Sequence, residues 1–366
     1  IKSIKRGSGG SSIPVELKFP IDFLNKEWAT FVGGILSEGY LYKDGSCQFW
    51  NTNKELMEEF LKITNKCTRF NNKIRIYEKQ HNKDAYYINY PAIIGKILIN
   101  GLNMKPGKKP IMNSGIPSLY LDLTPNKKNY KITASLLRWI FAGDGWSVFC
   151  KDKKFNLKHR NIGLGFARNF QESEELIVKN ILNNKNSMKK HAPKLLKDCG
   201  FLLYKHFDIK MKGPYLNKKK PFIFFHNGKK LISVRWLGFI YSRNNLKKFE
   251  KFIGFPKACR KTNEKLKNGL KSFENIEFDH GETLYKTLKL CSDMGIITKH
   301  DVIKTTNLCS KWIENILTRA RKNEFLIISG GGKFLGNCGR EPYIYNITSK
   351  GMNFLRDKER LWGWDF

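Results

Sequence analysis

A chain of 366 residues carrying 67 Lys and Arg against 32 Asp and Glu has a formal charge of +35, spread along its whole length. That excess costs self-repulsion, so a polyanionic partner is expected, and basic residues interleaved with Phe, Tyr and Trp favour nucleic acid over a membrane surface. No apolar run approaches the roughly 20 residues of a spanning helix, no secretory leader opens the chain, and the cysteines (Cys47, Cys67, Cys150, Cys199, Cys259, Cys291, Cys309, Cys338) show neither CxxC nor zinc spacing, which suits buried thiols in a reducing intracellular compartment, cytoplasmic or organellar.

Residues 1–13 are rich in Gly, Ser and Lys and are expected to form a disordered basic leader. Asn25 can cap a helix running through Ser37, with Trp28, Phe31, Val32 and Ile35 as its apolar stripe, and Glu38-Gly39 ends it. In YLYKDGSCQFW, Asp44-Gly45 reads as the turn between two strands. A helix is expected over NKELMEEFLKIT, strands over KIRIYEK and AYYINY, and a helix around AIIGKILINGL.

After the Pro-, Gly- and Lys-rich loop MKPGKKPIMNSGIP the order begins again. TASLLRWIFA is helical and stops at Gly143-Asp144-Gly145. WSVFC and NIGLGFA are strands around the basic turn KDKKFNLKHR, and SEELIVKNILNN is helical. Strands over HFDIKMK, FIFFHN and KLISVRW precede the helix NNLKKFEKFIGF. One order of elements used twice at one spacing signals an internal duplication, with repeats over 14–128 and 129–268.

Periodicity lapses over 269–281, which reads as a linker. Within 282–366, TLYKTLKLCSDMG, TKHDVIKTT and SKWIENILTRARKN read as three short helices, followed by FLIIS, the glycine-rich GGGKFLGNCGRE and PYIYNITSKG. Three helices and a basic hairpin loop make a winged helix-turn-helix. In its third helix Trp312, Ile313, Ile316 and Leu317 are expected to be buried. Lys311, Asn315, Thr318, Arg319 and Lys322 are expected to face a major groove, with Lys333 and Arg340 in the wing.

FVGGILSEG (31–39) and LLRWIFAGDG (136–145) each drive an apolar helix into an acid followed by glycine. A carboxylate there opposes the helix dipole, so its recurrence at repeat spacing points to function. Ala29, Gly33 and Ser37 in the first helix, and Ser135 and Gly143 in the second, let two backbones approach closely. Such packing would bring Glu38 and Asp144 together, where like charges repel unless a cation lies between them. Carboxylate oxygens with room for water and phosphate suit Mg²⁺, or another divalent cation such as Mn²⁺ or Ca²⁺, which activates water and stabilises a leaving oxygen.

At these motifs the chain resembles the double-motif, single-chain LAGLIDADG homing endonucleases, over about Pro14 to Lys261. The resemblance implies an α+β fold of two pseudo-symmetric αββαββα repeats whose sheets form a DNA-binding saddle, here followed by the winged helix domain. It implies a site-specific, intron-encoded double-strand DNA endonuclease, monomeric, cutting a long asymmetric duplex across the minor groove to leave short 3′ overhangs. Glu38 and Asp144 are then the metal-binding catalytic acids, the part played by the backbone at position 37 being left open. Lys109 and Lys230 are the candidates for a basic residue beside each acid. Trp139 departs from the family's small interface residue, with Gly33-Gly34 opposite to make room for an indole, and Leu36 and Ala142 stand where many members carry a further acid.

For DNA contact the strand and turn residues after each motif are favoured: Tyr42, Lys43, Gln48 and Trp50 in the first repeat, and Lys151, Lys153, Lys154, Lys158 and Arg160 in the second. Gln and Arg read base edges, Lys mostly phosphates. His159 is placed for DNA contact and His280 lies in the linker, neither with a catalytic role. GLGFAR (163–168) lacks the third glycine of a dinucleotide loop. Two alternatives remain open, a catalytically inactive DNA-binding transcription regulator on the same scaffold and an RNA-splicing maturase. An intein is disfavoured, since no Cys or Ser nucleophile opens the sequence and no His-Asn closes it.

Overall fold

The computed structural model describes residues 21–68, 74–78, 85–151, 158–218, 220–271, 282–306, 308, 310–333 and 340–362. The expected leader (1–13), most of the linker and the wing tip lie outside them. The chain divides into two compact units, Ile1–Glu274 and Asn275–Phe366. Both combine helices with antiparallel sheets. No helix among the described residues is long and apolar enough to cross a membrane.

The first unit opens on a motif helix, Lys26–Ser37, capped by the Asn25 side chain, which accepts from the Trp28 N–H. Strands Gly39–Leu41 and Cys47–Asn51, helix Lys54–Thr68, strands Ile76–Glu78 and Tyr86–Tyr90 and helix Ala92–Leu102 follow. The sheet runs in the order Gly39–Leu41, Cys47–Asn51, Tyr86–Tyr90, Ile76–Glu78. Its core side carries Leu41, Cys47, Phe49, Ile88 and Tyr90 at period two.

The loop after Leu102 contains two one-turn helices, Lys109–Met112 and Ser118–Leu121. The second motif helix, Lys127–Asp144, is capped by Asn126. A five-stranded sheet orders Gly145–Lys151, Lys158–Gln171, Lys229–Ile240 and Met211–Leu216, and Phe222–His226 also pairs with Lys229–Ile240. Helices Glu175–Asn183, Lys185–Lys190, Lys194–Phe207, Arg243–Phe252 and Arg260–Lys271 complete the unit. Two expectations shift. His206 and Phe207, read as the start of a strand, are the last turn of Lys194–Phe207, because Leu195, Leu196, Cys199, Leu202, Leu203 and Phe207 form one buried helical stripe and Asp208 closes it in the left-handed region. Residues 269–271, assigned to the linker, continue Arg260–Lys271, whose Gly269 packs against the Phe149 ring.

The motif helices lie side by side in the middle of this unit's core. Gly33 sits so close to the Leu136 carbonyl that a methyl group there would collide with it, and Gly143 meets Ser37 and Glu38 in the same way. The Ser37 hydroxyl donates across the crossing to the Trp139 carbonyl at 3.2 Å. Trp139 is 2% exposed and its indole reaches Phe60, ring centroids 4.9 Å apart, and Phe49 at 6.4 Å. The indole thus passes Gly33 into the core beneath the first sheet, while Gly34 faces Phe60 and Phe49 rather than the indole.

The second unit has its own core around Tyr285, Leu288, Ile313, Leu317 and Leu326. Helices Glu282–Met294, Lys299–Thr306 and Ser310–Lys322 surround a sheet ordered Ile296–Thr298, Ile344–Ile347, Leu326–Gly330, and helix Ser349–Trp362 ends it. Trp312, expected in the core, is 52% exposed, because the buried stripe of its helix is Ile313, Ile316, Leu317 and Ala320 and position 312 lies outside that 3.6-residue period.

Candidate active site

Each motif acid is positioned by the end of its helix. The Glu38 N–H closes the first helix on the Gly34 carbonyl, and Asp144 is the last residue of the second. Because Gly143 has no side chain, the Glu38 methylenes rest against its backbone, and the two half-buried carboxyl groups come close enough for each charge to act on the other. Lys109, on the first one-turn helix, is half-buried beside the end of the first motif helix. Its ammonium donates to the Ser37 carbonyl and, at 3.2 Å, to the Ile35 carbonyl.

Burial pushes the Asp144 carboxyl well above the usual carboxylate range; the Lys109 charge opposes that shift, Glu38 adds to it, and Arg235 weakly opposes it. Burial likewise raises Glu38, again against Lys109. The same burial lowers Lys109, while Asp144, Glu38 and Cys47 hold its proton on. These are two acids that want a cation and a cation that wants acids, in one partly shielded site.

A pH dependence follows. In the folded protein Asp144 holds its proton to higher pH than in the unfolded chain, so from about pH 4 toward neutrality the unfolded state releases protons first and stability falls as pH rises. Thermal melts without divalent ions should show that decline, and Asp144→Asn should flatten it. A decline of equal slope in the variant would place the raised group elsewhere.

The residues present suit a hard divalent cation: two carboxylates with the carbonyl end of a helix between them, all oxygen donors. Among the described residues no group of three or more His, Cys, Asp and Glu forms a closed metal site, so the remaining ligands would come from backbone, water or phosphate. The described cysteines Cys47, Cys199, Cys259 and Cys291 are free thiols.

Lys230 is not brought to the acids. It opens the strand Lys229–Ile240 and binds Glu172 at 2.8 Å. Strand parity explains this, because even-numbered residues of that strand, Ile232, Val234 and Trp236, face the core, whereas Arg235 faces the other way and feels Asp144. Arg235 also crowds the space above Gly165 on the neighbouring strand. It is the residue that sequence reading missed, and its signal was a cation between buried Val234 and Trp236.

Of the residues expected to contact DNA, Tyr42 and Lys43 are exposed beside the turn, and Gln48 and Trp50 alternate outward from buried Cys47 and Phe49. Arg160 pairs with Phe149, on the side of the sheet covered by Arg260–Lys271, rather than with Trp146 and Arg235. Burial lowers its pKa. Lys153 and Lys154 lie outside the described residues, as do the side chains of Lys151, Lys158 and His159, and His280 altogether. In the second unit Lys311, Asn315, Thr318, Arg319 and Lys322 are all exposed on one helix, and Lys333 and Arg340, expected in a wing, are exposed on either side of residues 334–339, which lie outside the described residues.

No family model and no curated protein matches the chain. Among solved structures, the homing endonuclease I-WcaI bound to its DNA recognition sequence is 14% identical, covering 66% of this chain and 87% of that one at a TM-score of 0.35. The N-terminal LAGLIDADG domain of DUF199/WhiA is 13% identical over 66% and 90%, TM-score 0.31. I-DmoI in complex with DNA and Ca is 10% identical over 65% and 98%, TM-score 0.35.

Proposed function

We propose that the chain is a metal-dependent, site-specific DNA endonuclease of the LAGLIDADG kind, two pseudo-symmetric repeats followed by a winged helix domain. The observation that carries this reading is the pair of half-buried acids, Glu38 and Asp144, at the ends of two helices in backbone contact, with the Lys109 ammonium held on the Ser37 and Ile35 carbonyls within reach of both charges. Glu38 and Asp144 would hold the cation, which supplies an activated water and charge stabilisation at the leaving oxygen. Lys109 and Arg235 stand where they offset the negative charge that builds on a phosphodiester during cleavage. The net charge of +35 draws the polyanion in. Because one chain supplies both acids, it acts as a monomer on an asymmetric duplex.

Trp139 is the sequence's best argument for an inactive scaffold. Its indole turns away into the Phe60 and Phe49 cluster and leaves the acids together, so it removes no part of the site. The decisive test incubates the protein with a library of long duplexes and Mg²⁺ and sequences the ends. Recurrent breaks with short 3′ overhangs are expected, and intact duplexes beside retained binding would move the reading to a DNA-binding regulator.

The exposed row Lys311, Asn315, Thr318, Arg319 and Lys322 belongs to a unit with a separate core. Truncation after Ser272 is therefore expected to leave a folded nuclease whose affinity and specificity fall together. Footprinting checks it; an unchanged footprint would mean that this unit serves another partner.

A further inference from the structure

A cavity of about 220 Å³ lies inside the first unit, between the end of the first motif helix and the loop that follows Leu102. Its inner wall is apolar. Leu41, Leu102, Met104 and Ile116 are all buried, and Leu41 belongs to the core side of the first sheet, away from the outward face of Gln48 and Trp50. Lys105 and Lys194 line it too and are exposed, so they stand at its opening.

Hydrogen bonds hold the polar wall in place. Asn113 Oδ1 accepts from the Lys194 N–H at 2.9 Å, and Asp198 Oδ2 accepts from the Ile116 N–H at 2.8 Å and from the Lys194 ammonium at 2.9 Å. Gly115 lies so close to that ammonium and carboxylate that a methyl group there would collide with both. Residues 113–116 are thereby fixed to the start of helix Lys194–Phe207, and the cavity is formed before any ligand arrives. Within this stretch the Ser114 hydroxyl oxygen is buried and has no hydrogen-bond partner among the described residues. A buried hydroxyl left unpaired costs stability, and a ligand that bonds to it removes that cost.

Three of the lining residues are lysines and none is Asp or Glu, so the cavity favours an anion, while its inner wall calls for an apolar body behind the charge. The volume is below the roughly 300–1,000 Å³ of sites for drug-sized ligands, so the occupant is small. We propose that the cavity binds a small phosphate monoester, its apolar group against Leu41, Leu102 and Ile116 and its phosphate toward Ser114, Lys105 and Lys194. A phosphate suits the site better than a carboxylate because it offers three terminal oxygens to three donors. Neither Glu38 nor Asp144 takes part, so the site stands whether or not the chain cleaves DNA.

The test is titration calorimetry on the full chain without DNA or metal, at raised ionic strength, where screening suppresses phosphate binding by surface lysines. Phenyl phosphate is expected to bind at one site, with inorganic phosphate and benzyl alcohol each at least about tenfold weaker, since each keeps only part of the ligand. Ser114→Ala should weaken phenyl phosphate roughly 10- to 150-fold, the worth of a hydrogen bond to a charged group. The same variant should melt no lower than the wild type, because the hydroxyl has no partner in the fold to lose. Lys105→Gln should weaken binding about two- to fivefold, and Lys127→Gln, at an exposed lysine in the first turn of the second motif helix, should leave it unchanged. Inorganic phosphate binding as tightly as phenyl phosphate, several equivalent sites, full affinity in Ser114→Ala, or a lowered melting temperature in that variant would each overturn the assignment.

Discussion

Glu38→Gln and Asp144→Asn are each expected to abolish double-strand cleavage while leaving DNA binding within about tenfold of the wild type. Each substitution removes a charge that would hold the cation, and the loss of metal-assisted catalysis amounts to several kcal/mol of transition-state stabilisation. Binding survives because it rests on many phosphate contacts by lysines and arginines spread along a chain of net charge +35. The two variants need not be equivalent: Asp144→Asn removes the acid whose pKa burial raises most, but also the chief charge partner of the Lys109 ammonium. Cleavage and gel-shift assays with Mg²⁺ check both halves of the expectation. Wild-type cutting by either variant would show that the acid pair is not the active site.

The largest expected effect on stability belongs to Trp139. Its indole is almost wholly buried, lies 4.9 Å from the Phe60 ring and ties the second motif helix into the core beneath the first sheet. Trp139→Ala should cost roughly 3–5 kcal/mol, because the Phe60 and Phe49 rings and the Gly33 backbone that line the site cannot collapse to fill it. Gly33→Leu should also be severe, for the opposite reason: its side chain would drive into the Leu136 carbonyl and push the motif helices, and with them the carboxylates, apart. Thermal melts alongside cleavage assays separate the two. Trp139→Ala is expected to lower the melting temperature, and a melting temperature equal to that of the wild type would remove the indole from the crossing.

Much of the architecture was readable from local chemistry. Asn25 caps the first motif helix and small residues recur at one-turn spacing in both, so the start of the first helix and the close approach of the pair follow from residue type, whereas the second helix begins at Lys127, well before the expected TASLLRWIFA. The Asp44-Gly45 turn and the alternation through Cys47, Phe49 and Trp50 give the first hairpin its register. Glu38 and Asp144 were legible because an acid at a helix C-terminus is unfavourable on its own account, and that oddity occurs twice.

What the sequence determined by itself was the two acid-ended helices, the first hairpin and the excess of positive charge, since these rest on capping, periodicity and charge, all local or additive properties, whereas the helices Lys194–Phe207, Arg260–Lys271 and Ser349–Trp362 emerged only in the structure. Only the tertiary structure decided which cations reach the acids. Lys230 and Arg235 are both basic residues on one strand, and its pleat sends Lys230 to Glu172 and Arg235 toward Asp144. Lys109 is reached only by folding the loop after Leu102 back onto the end of the first motif helix. The stacking of Trp50 on Tyr87 and of Tyr87 on Tyr77 has no counterpart in linear sequence, because it arises from the pairing of three strands whose register is set by the buried face beneath them.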